Sequence, residues 1–187
     1  MDQEIRKYLD IITKALSCVK QQYYNLETTY DSAGIVRERV FCYELYHQIR
    51  CIQTKRHETK LSLNGEIDKR GHHEFDKEDW KNPDFVFHIP GKMSGNSIVI
   101  EVKGTINYVD ECVKDFCTLT VFVSKYKYEL GIFILYNHTL EEFITSMKEE
   151  LHRKFSSLPP EMSEKILILC KKNAQTKHDI YTLKEIL

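Results

Sequence analysis

The stretch Ser97-Ile-Val-Ile-Glu-Val-Lys103 constrains the fold most, because a strand pattern that reads as buried carries an acid and a base. Side chains alternate across a strand, so Glu101 and Lys103 share one face while Ile100 and Val102 take the other. Upstream, Asp84-Phe-Val-Phe-His-Ile89 alternates in the same way, and Pro90 to Asn96 between them is composed largely of turn formers. The pattern predicts a β-hairpin folding near Met93, which brings Asp84, Val86 and His88 onto one face with Asp84 opposite the Glu101–Lys103 region. Buried charges need a partner or a metal. Two neighbouring carboxylates repel, and a bound cation removes that repulsion. Hard cations such as Mg²⁺ take carboxylate oxygens together with substrate phosphate oxygens. The plainer alternative is a cross-strand Glu101–Lys103 ion pair on a solvated edge.

Around the hairpin the periodicity changes. Ile5, Tyr8, Ile12, Ala15, Leu16, Val19 and Tyr23 recur at helical spacing and predict a helix over residues 3–26. A second helix is expected over 35–54, with Phe41, Leu45, Ile49 and Ile52 on one face. Glu38 and Glu44 lie on it about 120° apart, so both cannot point at one site. Lys60 to Leu63 reads as a strand followed by the turn pair Asn64-Gly65, and 69–82 as a polar loop. After Gly104 a helix carries Val109, Cys112, Val113, Phe116 and Leu119 on one side. The apolar run Gly131 to Tyr136 suits a strand buried on both faces. Thr139-Leu-Glu-Glu142 has the layout of a capping box opening a helix. Ser156 to Ser163 reads as a loop, Lys165 to Cys170 as a last core strand, and the tail from Thr182 as a short closing helix. The order α-α-β-β-β-α-β-α-β predicts an α/β layer architecture with a mixed sheet.

The 187 residues suit a single domain. Apolar residues are 42% and charged residues 29%, an ordinary globular balance. The longest apolar stretch is far too short to span a bilayer, and the N-terminus lacks a secretory layout, so a cytoplasmic protein with no membrane partner is expected. The six cysteines are scattered without Cys-x-x-Cys spacing, which argues for small core hydrophobes rather than a zinc site. A net charge of −1 gives no basic field for nucleic acid. That does not exclude an enzyme of nucleic acid, because a metal supplies positive charge where the phosphate sits.

The string Asn82-Pro-Asp84, followed at hairpin distance by Ile100-Glu-Val-Lys-Gly104, resembles the PD-(D/E)XK nuclease superfamily, which includes many restriction endonucleases. The resemblance implies a restriction-endonuclease-like mixed central sheet, with an α-β-β-β-α-β core over 35–136. Residues 1–34 would be an N-terminal helix, and 137–187 a helix-and-strand extension. It implies Asp84 and Glu101 as ligands of Mg²⁺ or Mn²⁺, aided by the Val102 carbonyl or Glu44, with Lys103 orienting the attacking water. Glu44 is preferred to Glu38 as the helix carboxylate because it lies deeper in the helix beside His47 and Gln48; a surface role paired with Arg37 is its alternative. The implied activity is metal-dependent endonucleolytic hydrolysis of a phosphodiester, with DNA the expected substrate. The family also has members that keep the fold and lose catalysis, so a binding or assembly module is the second reading.

Other candidates have plainer explanations. His88 is expected as a hydrogen-bonded edge histidine, and Glu66 and Asp68 as turn carboxylates. His72, His73, Glu74 and Asp76 fall in a loop without the fixed geometry that a metal needs. Lys69, Arg70, Lys77, Lys81 and Lys92 could meet phosphates but read individually as solvated charges. Lys114 falls where the crossover helix could face the site. Tyr23, Tyr24, Tyr43, Tyr46 and Phe41 read mostly as core or interface. The first helix, Asp2 to Leu26, and the tail after Ser163 either pad the core or form a homodimer interface.

Overall fold

Apolar side chains at Ile5, Tyr8, Ile11, Ile12, Ala15 and Leu16 form one stripe, and helix α1 (Gln3–Cys18) buries all of them. The computed structural model describes residues 2–29, 34–65, 82–91 and 95–187. Helix α2 (Glu38–Arg56) follows, burying Phe41, Cys42, Leu45, Ile49 and Gln53, and ends on His57 in the left-handed conformation. Next come β1 (Ser62–Gly65), β2 (Phe85–His88), β3 (Asn96–Lys103), α3 (Val109–Ser124), β4 (Leu130–Tyr136) and α4 (Leu140–Phe155). A single helical turn α5 (Pro160–Ser163), then β5 (Ile166–Lys171), β6 (Asp179–Thr182) and α6 (Leu183–Ile186) complete the order.

Among the described residues the strands form one six-stranded sheet in the order β1-β2-β3-β4-β5-β6. The β1–β2, β2–β3 and β5–β6 pairs are antiparallel, whereas β3–β4 and β4–β5 are parallel. The two parallel steps are crossed by α3 and α4, as parallel neighbours require. Alternation then divides the core. Phe85, Phe87, Ile98, Ile100 and Val102 pack with α1 and α2, while Val86, Val99, Phe133 and Leu135 pack with α3, α4 and α6. The chain is thus a mixed α/β fold with helices on both faces of the sheet. Every residue of β4 is buried, as its unbroken apolar run requires.

Several boundaries depart from the sequence pattern. The first helix stops at Cys18, and a 3₁₀ turn at Gln21–Tyr23 redirects the chain. Val19 and Tyr24 remain buried, so the apolar periodicity outlasts the helix. Asn64-Gly65 is not a turn: Asn64 pairs with Val86 and Gly65 with Phe85 inside the β1–β2 ladder. Strand β6 escapes the pattern because its side chains are largely exposed. The capping box is present, with Thr139 and Glu142 bonding each other's backbone. Cys42, Cys112 and Cys170 are buried, whereas Cys18 is exposed and Cys51 and Cys117 are intermediate, so only half of the thiols are core residues. Residues 66–81 and 92–94, which carry the Glu66, Asp68, His72, His73, Glu74, Asp76 and loop-lysine candidates, lie outside the described residues.

Candidate functional site

The hairpin register sets two carboxylates side by side. Phe85 pairs with Ile100, so Asp84, one residue before β2, falls opposite Glu101 and projects to the same face. Each side chain is held by the other strand. Val102 N–H donates to Asp84 Oδ2 at 2.7 Å, and the backbone of Asp84 hydrogen-bonds the Glu101 carboxylate. Glu101 is 7% exposed, between the apolar Ile100 and Val102 on a strand that is buried up to Lys103.

Burial raises both acids. It drives Asp84 up to about 6 against the opposing Val102 hydrogen bond, and the Asp115 and Glu38 charges add to the rise. Burial, then the Asp84 and Asp115 charges, push Glu101 well above the ordinary carboxylate range. The Asp84 charge thus disfavours ionisation of its neighbour Glu101.

Lys103 follows two residues along the same face. Its Nζ lies 3.3 Å from Asp115 Oδ2, 3.5 Å from Glu38 Oε2 and 3.7 Å from Glu111 Oε2. Burial opposes its charge, but Asp115, Glu38 and Glu111 outweigh burial and hold the ammonium above the usual lysine range. Lys103 is therefore a fixed cation, suited to orienting an anion or a water and unsuited to removing a proton.

Helix α2 contributes Glu38 from its first turn rather than Glu44. Glu38 Oε1 also accepts from Gly104 N–H at 3.3 Å. Glu44 Oε1 instead accepts from Gln48 Nε2 at 2.7 Å, along its own helix. A Cβ on Gly104 would meet Tyr136 and Val36 at 2.5 Å, so only glycine lets β3 end this close to them. Phe41 of α2 stacks on Tyr136 with ring centroids 3.8 Å apart, which fixes the start of α2 over the strand ends.

Asp115 and Glu111 were not singled out by the sequence reading. They are four residues apart on α3, hence on one helix face, next to the buried Cys112 and Phe116. Like charges at that spacing repel, which was a legible hint that a cation sits between them. Lys114 is exposed and its neighbour Asp115 faces Lys103 instead. His88 Nε2 meets Asn64 Oδ1 at 2.9 Å, as expected of an edge histidine. Val102 enters the site through its N–H, which holds Asp84.

Around one ammonium, Lys103, the structure thus gathers Asp84, Glu101, Asp115, Glu38 and Glu111. Among the described residues no group of three or more His, Cys, Asp or Glu side chains is set to hold a metal ion. Asp84 and Glu101 nonetheless supply two hard oxygen donors in a place short of positive charge. That fits Mg²⁺, which is commonly held by one or two carboxylates and completed by water and substrate phosphate. The site lies at the carboxyl end of β3, where open α/β sheets bind ligands. No family model matches the chain, and comparisons with curated proteins and with solved structures return no match.

Proposed function

We propose that the chain is a Mg²⁺-dependent nuclease with a restriction-endonuclease-like core, hydrolysing phosphodiester bonds of DNA. The buried Asp84–Glu101 pair, joined across the hairpin beside Lys103, carries this reading. Two adjacent buried acids that repel each other weaken a fold, and such groups cluster at functional sites. The element order α2-β1-β2-β3-α3-β4 agrees with the core that the Pro83-Asp84 and Glu101-Val-Lys103 resemblance implies.

Asp84 and Glu101 would hold the cation, which supplies Lewis-acid polarisation of the phosphodiester and stabilises charge developing there. Lys103, kept charged by Asp115 and Glu38, orients the attacking water against the phosphate and stabilises the anion as the P–O bond breaks. Glu38 acts through Lys103, fixing its position. Val102 N–H keeps the Asp84 carboxylate turned toward Glu101. We place the protein in the cytoplasm, where scattered cysteines without Cys-x-x-Cys spacing stay reduced. Among the described residues no helix is long and apolar enough to cross a membrane.

A second reading is a non-catalytic binding module of the same fold. The three carboxylates that engage Lys103 favour it, because a purely structural ion network has the same form. Incubation with plasmid, linear duplex, single-stranded DNA and RNA, in Mg²⁺, Mn²⁺ or chelator, separates the two. Metal-dependent cleavage that Lys103→Ala abolishes supports the nuclease. Absence of cleavage, or equal cleavage by the variant, favours the module.

A further inference from the structure

A cavity of about 380 Å³ opens beside Asp84, lined by Cys42, Tyr43 and Tyr46 of α2, Asn64 and Gly65 of β1, and Phe85. We propose that it receives one unstacked nucleobase, so that the strand is cut where it is single-stranded or locally opened; this rests on the nuclease reading above. Asp84 belongs both to the cavity wall and to the carboxylate pair. Phe85 takes the opposite face of the hairpin from the Asp84 and Glu101 side chains, so the cavity lies across the end of β2 from the pair, where a base adjoining a phosphate held at the pair would enter.

The lining suits a base. Tyr43 is 65% exposed, a large aromatic left in water on a helix whose other face is packed. An exposed ring at a cavity mouth is a stacking surface, and stacking accepts any base because every base has a π-face. Phe85, 4% exposed, adds an apolar wall. Polar atoms are fixed around it: Tyr46 Oη donates to Leu63 O at 3.4 Å, and Asn64 Oδ1 is engaged by His88 Nε2 at 2.9 Å. The volume is that of a small-ligand pocket, a fit for one planar group rather than for a partner's helix.

Charge points the same way. With a net charge of −1 the chain gains little from phosphate neutralisation and counterion release. Base contacts then add to the phosphate contacts made at the pair, and in a closed duplex the base faces are covered by neighbours. Unpaired strands offer them.

The test is steady-state cleavage in Mg²⁺ of a single strand, its perfect duplex, a duplex with an unpaired bubble, and single strands carrying one abasic position at successive sites. Wild type, Tyr43→Ala and Tyr43→Phe are compared, with circular dichroism to confirm folding. The inference predicts that single-stranded and bubble substrates are preferred over the perfect duplex. Tyr43→Ala should raise KM about tenfold, the size of one lost stacking contact, with kcat little changed, and Tyr43→Phe should restore it. One abasic position next to the cut should cost wild type the same factor and cost Tyr43→Ala nothing further. Unchanged KM in Tyr43→Ala, or preference for the perfect duplex, overturns the inference and leaves the nuclease reading standing. No metal-dependent cleavage by wild type overturns both.

Discussion

Replacing Asp84 by asparagine should stabilise the metal-free protein strongly at pH 8 and by only about 1 kcal/mol at pH 4.5. Asp84 titrates at about 6 in the fold against an ordinary value of 3.8. Between those values the native state keeps a proton that the unfolded chain has lost, so stability falls as pH rises. This is opposite in sign to a salt-bridged carboxylate. Each pH step between the two values is worth about 1.4 kcal/mol, so ionising Asp84 costs the fold about 3 kcal/mol by pH 8. Asparagine keeps an oxygen to accept from Val102 N–H and carries no charge. It also removes one of the charges that raise Glu101. For a chain of this size the gain corresponds to a Tm higher by roughly 6–12 °C. The assay is urea unfolding and thermal melting in chelator from pH 4.5 to 8. A destabilised Asp84→Asn at pH 8, or a difference that does not change with pH, would refute the argument that Asp84 is a buried, repelled acid.

Lys103→Ala should abolish cleavage and cost on the order of 2 kcal/mol in urea unfolding. That is less than for a fully buried ion pair, because Glu111 is 61% exposed and Glu38 36% exposed. Glu38→Gln should reduce kcat at least tenfold by loosening Lys103, whereas Glu44→Gln should leave kcat within about twofold; reversal of that order in cleavage kinetics would return the helix carboxylate to Glu44. Tyr136→Phe should be neutral or stabilising by up to about 1 kcal/mol in thermal melts, since among the described residues the buried Tyr136 hydroxyl has no hydrogen-bond partner.

The hairpin was legible because alternation with period two fixes which residues share a face, and register then follows from the partner strand. Asp84 against Glu101, with Lys103 two residues on, needed nothing beyond that. The choice between Glu38 and Glu44 was not legible. Depth in the helix favoured Glu44, but the site meets the first turn of α2, and the Phe41–Tyr136 stack and the bare Gly104 put it there. Helical spacing says which residues share a face and nothing about which end of the helix crosses the sheet. Asp115 was missed for a related reason, since its partner lies on another element. Strand β6 was missed because an exposed edge strand has no apolar alternation to read.

The most direct test of the central claim is calorimetric titration of Mn²⁺ at pH 7.5, without nucleic acid, into wild type, Asp84→Asn and Glu101→Gln. The account predicts one site per chain in wild type and at least a tenfold loss of affinity in both variants. Absence of binding by wild type, or equal binding by all three proteins, would contradict the claim that the buried pair is built to hold a cation.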